Sequence, residues 1–390
     1  MHFDFDTVID RYNTNSIKYD AAVKPGYPAD ILPLWVADMD FKAPPCVMDA
    51  LRKAVEHGIY SYSAPGEGYY AAVCGWFRER FDWKVEKEWV VTSPGVVLAL
   101  AAGVRIMTQP GDAVIIQTPV YAPFYNVVHM NDRKLVESPL HYENGKYAID
   151  FGDFEAKIRE NAVKLFILCS PHNPIGRVWS VEELRRLGEI CHKYGVKVIS
   201  DEIHCDFTMP GHPHTPFIKA CPEFAETAMV CTAPSKTFNL AGLEASNIFI
   251  PGEVLRQAYQ QELNRICCGG LNCMAYVGCQ AAYEGGAQWL EACKAYIREN
   301  LDYVRSFLRD NLPKVKLVEP EGTYFAWLDF TDLGLSEEKL NALIVFKAKL
   351  RLQEGGIFGE SAALFQRMLL SCPRTILEKA MQQLKNAVNP

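Results

Sequence analysis

Residues 164–201, KLFILCSPHNPIGRVWSVEELRRLGEICHKYGVKVISD, decide the fold of this chain. The stretch opens on a continuous apolar run from Lys164 to Ser170, which is typical of a strand buried on both faces. A capping box at 180–183 then starts an amphipathic helix, and Gly195 ends that helix just before a second apolar run, Val196 to Ser200. Strand, helix and strand in this order predict a βαβ unit, whose two strands lie parallel.

Three further apolar runs belong with this unit: Ala113 to Gln117, Ala228 to Thr232 and Ser246 to Ile250. Because strands inside a parallel sheet need apolar side chains on both faces, we expect all five runs to form one such sheet. The predicted fold class is therefore α/β, with a mostly parallel central sheet flanked by helices. Ligands bind beyond the carboxyl ends of such strands, so polar residues just after the runs are candidates for a site.

The remainder of the chain predicts a smaller α+β domain. Residues from about 285 to 311 have the pattern of one long helix, and three strands are expected at Val315 to Glu319, Tyr324 to Phe330 and Arg367 to Cys372. At 390 residues the chain exceeds the size at which one core usually splits into two. We place a large domain at 46–285 and build the small domain from 1–45 and 286–390.

The composition excludes several classes of protein. A formal net charge of -7 offers no basic surface for nucleic acid or for a membrane. The most apolar stretch, Val96 to Val104, is far shorter than the roughly 20 residues that span a bilayer, and the N-terminus lacks an export signal. Thirteen cysteines without such a signal suggest reduced thiols, and no spacing predicts a metal site. We expect a cytoplasmic protein.

Three polar residues follow the predicted strands: Asn173, Asp201 and Lys236. Each has an ordinary explanation on its own, as a turn starter, a helix cap and a solvated loop lysine. All three would nevertheless converge on one edge of the sheet. There a carboxylate, an amide and an amine suit an aromatic cofactor that has a ring nitrogen and a carbonyl.

The segments that carry these residues resemble a known family. SPHNPIGR (170–177), SDEIH (200–204) and SKTFNLAGL (235–243) are similar to segments of fold-type-I pyridoxal 5′-phosphate enzymes, the class I/II aminotransferase family. More narrowly they resemble its cysteine-S-conjugate β-lyase, or cystathionine β-lyase, branch. The likeness runs from WVADMDF (35–41) to SCPR (371–374).

The resemblance implies a role for each of the three residues. Lys236 would hold the cofactor as a Schiff base, which requires an amine with a pKa far below the usual value of about 10.4. Asp201 would keep the pyridine nitrogen protonated, so that the ring can accept electrons from the substrate α-carbon. Asn173 would donate a hydrogen bond to the phenolic oxygen of the ring.

A glycine turn at TSPGVV (92–97) opens a helix near Val96 and offers backbone N–H groups to an anion, although a plain turn explains Gly95 equally well. The resemblance favours a phosphate site made by Gly95, the backbone of Val96 and Val97, and the hydroxyl of Ser235. One departure concerns this site. Many aminotransferases carry a phosphate-binding arginine eight residues after the lysine, where this chain has Glu244.

Two tyrosines and an arginine complete the site that the resemblance implies. Tyr121 would stack on the cofactor ring, unless it is a core tyrosine, and Tyr62 would reach the phosphate of the other subunit of a homodimer. Arg367 would bind the substrate carboxylate, unless it belongs to a structural ion pair. Relatives commonly have Asn at the position of Leu369 and Gly at that of Leu364, so we expect a different substrate range near this arginine.

The implied reaction is β-elimination from an amino-acid substrate: L-cystathionine and other cysteine S-conjugates would yield a thiol, pyruvate and ammonia. An aminotransferase that acts on amino acids and 2-oxoacids uses the same residues in its first step, so it stays the alternative. A protein that keeps the fold mainly to bind a regulator is a second alternative. A nicotinamide-binding protein is disfavoured because no GxGxxG motif follows a first strand.

Overall fold

The computed structural model describes residues 3–389, so the first two residues of the predicted N-terminal segment and Pro390 lie outside the described residues. The strands of the described chain are β1 (Leu32–Pro33), β2 (Val90–Ser93), β3 (Ala113–Thr118), β4 (Lys134–Pro139), β5 (His141–Glu143), β6 (Lys146–Ala148), β7 (Leu165–Cys169), β8 (Lys197–Asp201), β9 (Ala228–Thr232), β10 (Ser246–Phe249), β11 (Lys316–Val318), β12 (Phe325–Asp329), β13 (Leu350–Arg351), β14 (Gln353–Glu354) and β15 (Phe365–Leu369).

The α-helices of the same range are α1 (Ile17–Asp20), α2 (Pro45–His57), α3 (Glu67–Phe81), α4 (Val96–Met107), α5 (Pro123–His129), α6 (Phe151–Glu160), α7 (Val181–Lys193), α8 (Phe217–Ala220), α9 (Pro234–Thr237), α10 (Glu253–Arg265), α11 (Cys273–Gly285), α12 (Ala287–Asn311), α13 (Glu337–Ala342) and α14 (Arg374–Val388). Helix α7 begins with the predicted capping box, in which Ser180 and Glu183 each bond the other's backbone N–H.

Seven strands form the central sheet in the order β2-β10-β9-β8-β7-β3-β4. The five from β9 to β4 are parallel, with Cys169 opposite Asp201 and Asp201 opposite Cys231. The carboxyl ends of β7, β8 and β9 therefore lie side by side. This arrangement confirms the predicted α/β class with a mostly parallel sheet.

Alternate residues of the sheet enter two separate apolar cores. Ile115 and Val198 belong to one core, whereas Ile116 and Ile199 belong to the other. Helix α4 packs very closely on the second face at Gly103, where an added Cβ would lie 2.6 Å from the Cδ1 atom of Ile199. Helix α4, whose N-terminus lies beside the candidate site, therefore packs directly on the sheet.

A second sheet of four antiparallel strands has the order β11-β12-β15-β14, with Trp327 opposite Arg367. The N-terminal segment joins this part of the molecule through β1, which pairs with β13. This contact agrees with the expectation that the first 45 residues pack on the C-terminal lobe. The domain boundaries themselves stay a prediction.

Several local expectations differ from the structure. The expectation that residues 246–250 run parallel to their neighbours is wrong, because β10 pairs antiparallel with both β9 and β2. An apolar run records burial on two faces but not the direction of the strand. The strand expected at 367–372 lies at Phe365–Leu369, which places Arg367 at its centre. The long helix expected at 285–311 is confirmed as Ala287–Asn311.

Candidate active site

A cavity of about 240 Å³ lies where β7, β8 and β9 end. The helix N-terminus after β2 and the segment after β9 close its other sides. Eight of the residues expected at the site line it: Gly95, Val96, Val97, Tyr121, Asn173, Asp201, Ser235 and Lys236. The sheet topology therefore brings together most of the residues that the sequence singled out.

Lys236 projects from α9, the short helix that follows β9. Its Nζ donates a hydrogen bond to the backbone carbonyl of Ala37 at 2.8 Å. Burial lowers the pKa of this amine to about 8, while the charges of Asp38 and Asp201 raise it and that of Arg367 lowers it further. A substantial share of the amine is thus neutral near physiological pH, which nucleophilic attack requires.

Asp201 is the last residue of β8 and is buried. Its side chain accepts one hydrogen bond from the described residues, from the backbone N–H of Ile203 at 3.2 Å. Burial raises its pKa to about 7, and the charge of Glu202 adds to this effect, whereas Lys236 opposes it. A buried carboxylate with so few partners favours a ligand that brings a cationic or N–H donor.

Arg367 lies on β15 and is buried; it does not itself line the cavity but contacts Asn173, which does. Its Nη1 and Nη2 donate to the Oδ1 of Asn173 and to the carbonyl of Trp35, both at 2.8 Å, and its Nε has no partner among residues 3–389. The guanidinium lies 4.2 Å from the ring centroid of Phe325. Burial lowers its pKa to about 10.

No carboxylate of the described chain pairs with Arg367, which removes the structural ion pair as an explanation within that range. A buried cation that meets only neutral acceptors suits an anionic ligand. Because the Oδ1 of Asn173 accepts from Arg367, the Nδ2 of the same amide is left to donate to a ligand.

The start of α4 forms the side of the cavity where the sequence predicts a phosphate site. Gly95 caps this helix at φ +80°, a conformation that other residues rarely adopt, so the turn requires glycine. The first N–H groups of the helix, at Val96 and Val97, have no acceptor within it. Glu244 also lines this cavity, and no cation of residues 3–389 pairs with it.

The two tyrosines occupy different places. Tyr121 lines the cavity, and burial raises its pKa. Tyr62 is fully exposed in the single chain and lies outside the cavity. Its predicted role needs a second subunit.

Sequence reasoning missed His204, which lines the cavity three residues after Asp201. The imidazole is buried, packs 5.4 Å from the ring of Tyr324, and its Nδ1 has no partner among the described residues. Burial lowers its pKa well below the ordinary value, and the charge of Lys236 lowers it further, so the ring is neutral at pH 7. Its place in the SDEIH segment was the available signal.

Residues 3–389 contain neither a membrane-spanning helix nor a cluster of metal-binding side chains. None of the helices among residues 3–389 combines the length and the apolar character that crossing a bilayer requires. Across the same residues, no group of three or more His, Cys, Asp or Glu side chains has the geometry to bind a metal ion.

Comparisons with known proteins find similarity along almost the whole chain. A family model described as aminotransferase class I and II matches residues 29–383. Cystathionine beta-lyase PatB of Bacillus subtilis is 44% identical over 99% of this chain and 100% of its own. Cystalysin of Treponema denticola, whose crystal structure contains pyridoxal 5′-phosphate, is 36% identical with a TM-score of 0.95 over 99% of both chains. The PLP-bound C-S lyase of Staphylococcus hominis is 35% identical with a TM-score of 0.93 over 100% of this chain and 99% of that one.

Proposed function

This chain belongs to the class I and II aminotransferase family, as its motifs indicated, and we propose that it is a carbon–sulfur lyase that uses pyridoxal 5′-phosphate. Its substrates are L-cystathionine and other cysteine S-conjugates. Cystathionine and water yield homocysteine, pyruvate and ammonia, so the reaction needs no second substrate. The names of the similar proteins support a lyase more than the aminotransferase alternative.

The residues of the cavity fit this cofactor. Lys236 offers a buried amine that is partly neutral near pH 7, and Asp201 offers a buried carboxylate with a single internal partner. The start of α4 offers unpaired N–H groups to a phosphate. Pyridoxal 5′-phosphate has an aldehyde, a basic ring nitrogen and a phosphate, which correspond to these three features. The amine of Lys236 in this enclosed setting is the observation that carries the proposal.

When bound, pyridoxal 5′-phosphate supplies an electron-poor ring that takes up the electrons released at the substrate α-carbon. Lys236 would hold it covalently through Nζ, and the same nitrogen can then carry the α-proton. Asp201 would accept a hydrogen bond from the ring nitrogen. Asn173 would donate to the phenolic oxygen, and Tyr121 would cover one face of the ring.

Arg367 would bind the α-carboxylate of the substrate. Its buried guanidinium has an unpaired Nε and is neutralised by no acid of the described chain, so an incoming carboxylate provides the missing charge. The carboxylate would fix the substrate on the side of the cavity where Asn173 and Arg367 meet.

We also infer that the protein acts in the cytoplasm, without nucleic acid, as a homodimer in which Tyr62 serves the partner's site. Full exposure of this aromatic, beside the exposed side chains of Ile59 and Tyr60, supports the inference. Mixing inactive Tyr62→Ala and Lys236→Ala proteins tests it. Exchange of subunits should restore activity, because one site of each mixed dimer has both residues; no recovery contradicts a shared site.

The proposed function is tested by spectrum, labelling and product. The purified protein should absorb in the visible range, borohydride should attach the cofactor to Lys236, and pyruvate should form from cystathionine without any 2-oxoacid. Lys236→Ala should abolish all three. Lys197→Ala is the matched control, because Lys197 begins β8, at the end of the strand opposite to Asp201, and bonds the carbonyl of Met107. A colourless protein, or a strict need for a 2-oxoacid, contradicts the proposal.

A further inference from the structure

The segment 35–41, which contains the WVADMDF motif, presents two backbone carbonyls to the cations of the site. The carbonyl of Trp35 accepts from Arg367 and that of Ala37 accepts from Lys236, both at 2.8 Å. The segment lies outside the central and the four-stranded sheet. Asn239 bonds the backbone of Met39 and Phe41, and the N–H of Asp40 bonds the carbonyl of Ser371. Ion pairs add a second anchor at Asp38 and Asp40.

An ion-pair cluster from the N-terminal region holds the segment. Arg11 pairs with Asp38 at 2.5 Å and with Asp40 at 2.8 Å, and it also bonds the carbonyl of Met39. Lys18, which is fully buried, pairs with Asp40 at 2.6 Å and bonds the carbonyl of Asp38. Arg11 therefore forms an ion pair with Asp38, the residue that directly follows Ala37.

Three charged side chains, from three different parts of the chain, act on the pKa of Lys236. Asp38 and Asp201 are the acids, Arg367 is the neighbouring cation, and His204 is a neutral imidazole on the same cavity wall. Asp38 has the largest effect of the charged neighbours on the pKa of Lys236, and it raises that pKa. Because Arg11 pairs with Asp38, its positive charge opposes the effect of this carboxylate.

We propose that Arg11 is a positioning residue for the reaction: its ion pair with Asp38 fixes the Ala37 carbonyl against Lys236 and sets how much of the Asp38 charge reaches that nitrogen. Arg11 itself does not line the cavity. The inference rests on the proposed function, since it takes Lys236 to be the residue that carries the cofactor.

Two single substitutions separate this role from a merely structural one. Arg11→Gln leaves the Asp38 carboxylate without its counter-charge, so the Lys236 nitrogen should keep its proton to higher pH. Asp38→Asn removes the carboxylate, so the same nitrogen should lose its proton at lower pH. A cluster that only braces the segment would loosen in both variants and move both in one direction.

Both variants leave the buried part of the cluster paired. In Arg11→Gln, Asp40 keeps Lys18, and in Asp38→Asn, Arg11 keeps Asp40. This matters because an unpaired buried charge is strongly destabilising and would unfold the region. Arg52→Gln is the matched control, since Asp49 is the one acid among residues 3–389 that pairs with Arg52, in an exposed pair on α2.

The measurement is a pH titration of the visible absorbance of the cofactor-loaded, full-length protein in the absence of substrate. The midpoint should rise in Arg11→Gln and fall in Asp38→Asn, each by about half a pH unit, which is a three-fold change in the protonation equilibrium. Arg52→Gln should leave it unchanged. Equal midpoints, or two displacements of one sign, overturn the inference alone. A wild-type protein without visible absorbance overturns the proposed function and the inference with it.

Discussion

Replacing Arg367 by methionine should separate substrate binding from folding, because this buried arginine has no acid of its own in the described chain. Methionine fills a similar volume without the charge. Burial lowers the pKa of the arginine from 12.5 to about 10. At 1.36 kcal/mol for each tenfold change, keeping the guanidinium charged costs roughly 3 kcal/mol. The substitution also leaves the carbonyl of Trp35 and the amide of Asn173 without a donor, at about 1–3 kcal/mol each.

These opposing contributions are similar in size, so the free energy of unfolding should change by less than about 2 kcal/mol. Activity should respond very differently. A substrate carboxylate held by two charge-assisted hydrogen bonds gains at least about 3 kcal/mol, and its loss corresponds to roughly a hundred-fold lower kcat/KM. Since the carboxylate does not react, most of the loss should raise KM.

The assay is pyruvate release from cystathionine over a range of substrate concentrations, together with thermal unfolding. Arg374→Met is the matched control: Arg374 bonds the amide of Asn300 at 2.7 Å, pairs with no acid of the described chain and lies outside the cavity. It should keep its kcat/KM within about three-fold. The reasoning is refuted if Arg367→Met also stays within three-fold, or if the control loses as much activity.

Three further predictions concern the cavity and the helix that closes it. In cofactor-free protein the pKa of Asp201 is raised to about 7, so its stabilising contribution is complete below pH 3.8 and is lost as the pH rises toward 7. The unfolding free energy of Asp201→Asn, relative to that of the wild type, should therefore increase by about 2–3 kcal/mol from pH 5 to pH 8. A difference that stays constant over this pH range would contradict the prediction. Glu244→Arg should tighten cofactor binding about ten-fold in a fluorescence titration, because it reverses the charge beside the start of α4. The control Glu253→Arg, on α10, should leave the affinity for the cofactor unchanged. Gly103→Ala should lower the unfolding free energy by about 1–3 kcal/mol in denaturant, because its Cβ would meet Ile199 at 2.6 Å; an unchanged midpoint would refute the packing argument.

The central strands could be predicted because their burial leaves a mark in the sequence. Strands β3, β7 and β9 are buried along their whole length and β8 is buried after Lys197, so apolar residues dominate all four strands and the runs stand out. The edge strand β4 is buried only at alternate positions, and its lysine, glutamate and serine conceal it. The direction of β10 could not be predicted either, because an antiparallel strand that is covered on both faces has the same apolar composition as a parallel one.

The site was predictable as far as it depends on side chains near strand ends. Asn173, Asp201 and Lys236 meet because parallel strands place their carboxyl ends at one edge, and the motifs gave their spacing. The carbonyls of Trp35 and Ala37 could not be found this way, because every residue has a carbonyl and only the fold decides which one meets a cation. His204 lay within a recognised motif, yet only its place in the cavity wall distinguishes it from a core histidine.

The distribution of charge in the cavity explains why carbonyls are needed there. The charged groups of two cations, Lys236 and Arg367, are buried beside Asp201, whose raised pKa leaves it only partly ionised at pH 7, while the other acid of the cavity wall, Glu244, is exposed to solvent. Without ligands, neutral oxygens must solvate the cations, and the 35–41 segment supplies one to each. A phosphate and a substrate carboxylate would replace this weak solvation with full negative charges. The binding of both anions is therefore favoured by the fold itself, before any specific contact to the substrate side chain is made.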